Sequence, residues 1–296
     1  MSEHHAPADH SKYYVPHGTP WPIIGSVALF NMMLGVVSWL NEWFGPGLFI
    51  VGLALVLFMF FGWFRTVINE NEGGYYNLDV DRSFRMGMIW FIFSEVMFFS
   101  AFFGALFYAR QFSVPWLGGE GVKIFNKIFL WKDFDAGWPN NGPARLSPRA
   151  DGSFETIPAF SLPAVNTLIL LTSGVTVTIA HHALREGRRN ILNIFLAATF
   201  LLGFLFVFLQ ANEYHEAYVE KGLQLGTGIY GSTFFMLTGF HGFHVTIGAI
   251  MLTVIWFRTM KGQLTPKRHF AFEAVAWYWH FVDVVWLGLF IFVYWV

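Results

Sequence analysis

Seven long apolar runs constrain this chain more than any other feature. They occupy residues 21–40, 47–64, 86–109, 160–182, 191–212, 229–257 and 271–296. A helix rising about 1.5 Å per residue needs about 20 apolar residues to cross a hydrocarbon core. Most of the runs meet that length, and the second reaches it by continuing through Arg65, Thr66, Val67 and Ile68. Together they carry only three charged residues, Glu95, Glu273 and Asp283. In hydrocarbon every backbone polar group must find its partner inside the protein, which leaves helices or a closed barrel. Barrel strands alternate in polarity over about ten residues. These runs do not alternate, and most are apolar nearly all round. The expected fold is all-α: a polytopic membrane protein, a bundle of seven transmembrane helices.

Charged residues make up 12% of the chain, against about 25% in an ordinary soluble domain. The net charge of −1 lacks the basic excess that nucleic-acid binding needs. With no cysteine, disulfides, iron–sulfur clusters, zinc–thiolate sites and thiol catalysis are all excluded. Residues 1–20 contain prolines and histidines but no apolar core, so they read as an N-terminal segment on the inner side rather than a signal peptide. Helices one and two then fill 21–68, and helices three to seven fill 84–296. The long 111–159 segment, rich in Pro, Gly, Asn and Trp, reads as an outer cap. Trp116, Trp131 and Trp138 in it suit a surface at the headgroup level. Lysines and arginines set the orientation. Lys12, Arg65, Arg82, Arg85, Arg185, Arg188, Arg189, Arg258, Lys261, Lys267 and Arg268 fall on one side, and the short segments of the other carry only Lys221. The N-terminus is therefore expected inside and the C-terminus outside, with Tyr294 and Trp295 as an aromatic belt.

Polar residues within the runs are the candidates for chemistry. Glu95 lies near mid-bilayer, and its helical neighbours Phe91, Ile92, Phe98 and Phe99 cannot pair with it. A carboxylate there is costly, so Glu95 is expected to be uncharged or partnered from another helix, either as a proton-linked group or as a packing residue. Glu273, Trp277, His280 and Asp283 share one face of the last helix. Such a stripe can conduct protons, hold a ligand or staple helices, and stapling is the commoner use. His241 and His244 stand in the sixth run, and His181–His182 end the fourth. They do not form the matched pairs a haem needs. Glu213-Tyr214-His215-Glu216 is the nearest approach to a metal spacing, but it sits at a helix end and reads as a cap or a packing element. No metal ligand set and no catalytic residue is expected in this chain. Arg82, Arg85, Arg185, Arg188 and Arg189 cluster at the inner surface, either as anionic-lipid sites or as the topology signal alone.

Several stretches together resemble a known family. They are PWPIIGS at 20–26, MGMIWFIFSEVMFFSAFF at 86–103, HHALREGRR at 181–189, HGFHVTIG at 241–248 and FEAVAWYWHFVDVVWLGLF at 272–290. These look like subunit III of cytochrome c oxidase, over roughly 13–110 and 160–296. The resemblance implies a subunit without haem or copper, those centres belonging to partner subunits. It implies packing against subunit I, with subunit II in the same complex, and structural phospholipid in a cleft between helices one and two and helices three to seven. Glu95 matches the family's buried helix-three carboxylate. Glu70 and Arg85 match an inner acidic and an inner basic position beside the lipid. Residues 73–81 follow the pattern less closely. The 111–159 loop is longer than in mitochondrial relatives, which points to a bacterial protein of the inner (plasma) membrane. The implied role is support of oxygen reduction and proton pumping, with Glu70, Glu72, His10, His17 and His181 collecting protons at the inner surface. The rivals are subunit III of a quinol oxidase, a nitric-oxide-reductase accessory chain, a proton-coupled transporter and a stand-alone membrane metalloprotein. Transporters commonly carry internal repeats, and none is visible here.

Overall fold

The computed structural model describes residues 13–15, 18–43, 45–266 and 268–295. Lys12, Lys267, His10 and His17 lie outside them. The helices are α1 (Trp21–Leu40), α2 (Gly47–Glu72), α3 (Leu78–Tyr108), α4 (Val114–Leu117), α5 (Leu162–Arg185), α6 (Arg189–Val219), α7 (Gly228–Met260) and α8 (Phe270–Leu289). Among the described residues, seven spans are long and apolar enough to cross a membrane. The third of these, Leu78–Leu117, runs from α3 through a π-helical turn into α4. No strand occurs among the described residues. The all-helical, seven-span expectation therefore holds.

Helix ends depart from the apolar runs. α2 continues to Glu72 and α3 begins at Leu78, so the second and third spans extend several polar residues past their apolar parts. Backbone hydrogen bonding does not stop where hydrophobicity does. Asn77 helps start α3 by accepting from the Val80 amide at 3.0 Å, and Asp79 and Asp81 sit favourably in its first turn. Gly187, at φ +75°, closes α5. Its amide donates to the Leu184 carbonyl and that of Arg188 to Ala183, the paired bonds of a left-handed helix stop.

The chain forms two compact units, residues 1–86 and 87–296. In the first, α1 and α2 pack as a hairpin at close range. A Cβ on Gly35 would overlap the Phe49 backbone, one on Gly52 the Met32 backbone, and one on Gly62 the Trp21 ring. Small residues let membrane helices approach where no hydrophobic force drives them together. The Trp21 indole donates to Thr66 at 3.1 Å.

In the second unit α5 packs on α6, α6 on α7, α7 on α8 and α8 back on α5. The core of this ring holds the fully buried Trp279, Trp286, Phe206, Phe234 and Phe272. Each tryptophan needs a partner for its N–H. Trp279 donates to Ser173 and Trp286 to Thr167, both at 2.9 Å. Gly203 and Gly248 make the room that the Trp279 ring occupies. Phe99 and Leu106 bring α3 into the same core.

The 111–159 segment is an ordered cap on the α6–α7 turn. The Tyr230 amide donates to Asn140 at 3.1 Å and the Glu155 amide to Lys221 at 2.9 Å. Arg149 donates to Glu155 at 3.1 Å and also to the Glu220 carbonyl. Trp138 is half-buried. Its ring packs edge-on against Tyr230 at 5.7 Å, with the Arg110 guanidinium 5.9 Å from its centre.

Candidate functional site

Glu95 has a partner from another helix. His244, on α7, places Nε2 2.9 Å from Glu95 Oε2. The other ring nitrogen, Nδ1, is 2.7 Å from the Phe240 carbonyl. A carbonyl only accepts, so Nδ1 is the donor there. Nε2 of a neutral ring is then bare, and a 2.9 Å contact between it and a carboxyl oxygen requires one proton between them. Whether that proton sits on nitrogen or oxygen, the two residues together are neutral, which suits their depth. Phe98 and Phe99 flank the imidazole at 6.1 and 5.1 Å, and Tyr278 stacks on it at 6.3 Å.

The α8 stripe faces α5 but divides into two groups. Glu273 Oε1 lies 3.1 Å from His269 Nε2 and 3.6 Å from His181 Nε2. Further along, His280 Nε2 is 3.3 Å from Thr178 Oγ1, and its Nδ1 is 3.8 Å from Asp283 Oδ2. Gly174 leaves the space that the buried Asp283 carboxyl fills. Trp277, between the groups, packs instead on Phe270. His241 is wholly buried, with Nε2 3.1 Å from the Val282 carbonyl and its ring against Trp286.

Glu213 is a packing element, one of the two uses expected of it. It is 1% exposed and accepts from the Tyr294 hydroxyl at 2.6 Å. Tyr294 thus turns into the bundle, while Trp295 stays exposed.

In the first unit Glu70 lies on α2 and accepts from two phenols, Tyr76 at 2.6 Å and Tyr14 at 3.1 Å. Both phenols are held above the usual tyrosine value, first by burial and then by the Glu70 carboxylate beside them. Arg85 bonds Asp81 at 2.7 Å, and the exposed Arg82 lies 3.4 Å from Asp79. At the α5–α6 turn Arg188 pairs with Glu186 at 3.0 Å, and Arg189 donates to the Thr259 carbonyl at 3.4 Å. Arg185 is exposed at the end of α5. Arg188, Arg189, Asn190 and Ile191 line a recess of ≈ 340 Å³.

Among the participants missed in the sequence are His269 and Tyr294. His269 stands four residues before Glu273, a helical spacing that could have revealed it. Tyr294 carried no such signal, because its partner lies 81 positions away.

The family model described as "Cytochrome c oxidase subunit III" matches residues 10–128 and 142–296. Beyond residues 1–9, the unmatched stretch is confined to 129–141, inside the cap, which is narrower than the loop as a whole. Curated relatives include cytochrome c oxidase subunit 3 of Nanger granti, 39% identical over 96% of both chains. The subunit 3 proteins of Carassius auratus and Gadus morhua are each 41% identical over the same shares. These relatives are animal proteins, and none of them supports a bacterial source.

Proposed function

This chain belongs to the cytochrome c oxidase subunit III family, and on that premise we propose that it is the non-redox subunit that sustains the oxidase's catalytic core. It is a multi-pass membrane protein of an oxidase complex. Its partners in the proposal are subunit I, against which it packs, and subunit II, with haem and copper held by those partners. Its N-terminus lies on the inner side, where Glu70, Glu72 and His181 help collect protons. Phospholipid phosphates sit against Arg82, Arg85, Arg185, Arg188 and Arg189. The 129–141 insertion is what supports placing the protein in a bacterial plasma membrane.

The observation that carries the proposal is the full-length family relationship. The internal pairing of Glu95, His241 and the core tryptophans supports a role in packing and support rather than redox chemistry.

The test is to purify the oxidase with and without this chain and follow oxygen consumption over many turnovers at neutral and alkaline pH. The depleted enzyme is expected to start near normal, lose activity progressively, and fall further behind as pH rises. Equal rates and equal persistence at both pH values would sink the proposal.

A further inference from the structure

We propose that His181, His269 and Glu273 form a binding site for a divalent transition-metal ion of the zinc class. The three donor atoms, one from each residue, lie within 4.8 Å of one another. Glu273 Oε1 is 3.1 Å from His269 Nε2 and 3.6 Å from His181 Nε2. Around a tetrahedral zinc with bonds of about 2.1 Å, neighbouring donors stand about 3.4 Å apart. The two measured separations bracket that value, and small side-chain rotations close the third.

The surroundings fit an ion better than a plain hydrogen-bonded cluster. His181 Nε2 is buried and has no hydrogen-bond partner among the described residues. Buried polar atoms are rarely left so, and this one points toward the same carboxyl oxygen that His269 contacts. His269 Nδ1 lies 3.2 Å from the Thr265 carbonyl. That contact makes Nδ1 the protonated nitrogen and turns Nε2 toward Glu273, where a metal ion would replace the proton the two otherwise share, the usual supporting arrangement behind a metal-bound histidine. His181 is held flat against Phe272, with ring centres 5.4 Å apart. His181 lies on the final two turns of α5, while His269 and Glu273 frame the start of α8. Two imidazoles and one carboxylate suit zinc, and also copper or nickel. Three protein donors leave a fourth position for water.

The site is tested on the intact oxidase complex after dialysis against a chelator. Radioactive Zn²⁺ is titrated by equilibrium dialysis into the wild type and into His181→Ala, His269→Ala and His215→Ala, the last an exposed histidine remote in sequence from the cluster. One class of bound zinc is expected to weaken by about tenfold or more in the first two variants and to stay unchanged in the third. X-ray absorption at the zinc edge is expected to show two imidazoles in that class. Equal zinc binding in all four proteins would overturn the proposal. If a cluster variant fails to assemble, diethylpyrocarbonate modification of the wild type decides. Saturating Zn²⁺ is expected to slow modification of His181 and His269 but not of His215, and no protection would equally overturn the proposal.

Discussion

At the scale of single residues, Glu95 poses the chain's clearest energetic problem, and His244 answers it. The problem was legible in the sequence, since a carboxyl among phenylalanines announces itself. The answer was not, because the two residues are 149 positions apart and only the fold sets them at one depth. Both stand near the middle of their helices, so matching depths along the runs was the one signal available. Removing the imidazole with His244→Leu strands the carboxyl and is expected to cost about 1–3 kcal/mol, read as a lower thermal midpoint. Glu95→Gln keeps a hydrogen-bonding group of the same shape and is expected to cost less. A larger loss in Glu95→Gln than in His244→Leu would refute this reading. Trp279, fully buried and bonded to Ser173, is expected to cost about 3–5 kcal/mol when cut to Ala, measured the same way. The phenols on Glu70 make a pH prediction. Their values are raised in the folded chain, so their contribution is complete below the ordinary tyrosine value of about 10. It is lost as pH climbs above that. Wild type and Tyr76→Phe are expected to differ in stability at pH 7 and to converge in strongly alkaline buffer. A difference that grows with alkalinity would contradict it.

At the scale of helices, the existence and number of the spans followed from run length alone, because hydrocarbon thickness leaves so few choices. Their ends did not. The polar residues 69–72 and 79–85 continue the helices beyond the apolar runs, and hydropathy is blind to that. Which faces meet was equally hidden, since helices apolar all round carry no stripe to read. The α1–α2 hairpin shows what decides it instead: glycines where backbones touch. Gly52→Leu would drive a side chain into the Met32 backbone. Spin labels on the exposed Ile23 and Phe61 are expected to report a longer interhelical distance in that variant. The same substitution at Gly87, where a Cβ meets nothing within 4 Å, is expected to leave it unchanged.

At the scale of the whole chain, orientation rests on the basic residues of the short connections. Because the protein has no cysteine, single labels can test it cleanly. Glu186→Cys is expected to react with a membrane-impermeant maleimide only from the inner side. Ala150→Cys, in the cap, is expected to react only from the outer side, and the opposite pattern would reverse the topology. The cap was legible as a cap from its composition, but its resting place was not. Arg149 reaches the carbonyl of Glu220, 71 positions further on, and Trp138 and Phe154 meet Tyr230. That separation has a consequence for how the protein is made. The cap leaves the ribosome before the turn that receives it has been translated. It must wait, with its tryptophan and phenylalanine uncovered, until α6 and the start of α7 have been made. The fifth and sixth spans, α6 and α7, are therefore the ones that cover the cap, and a ribosome stalled before α7 leaves it uncovered.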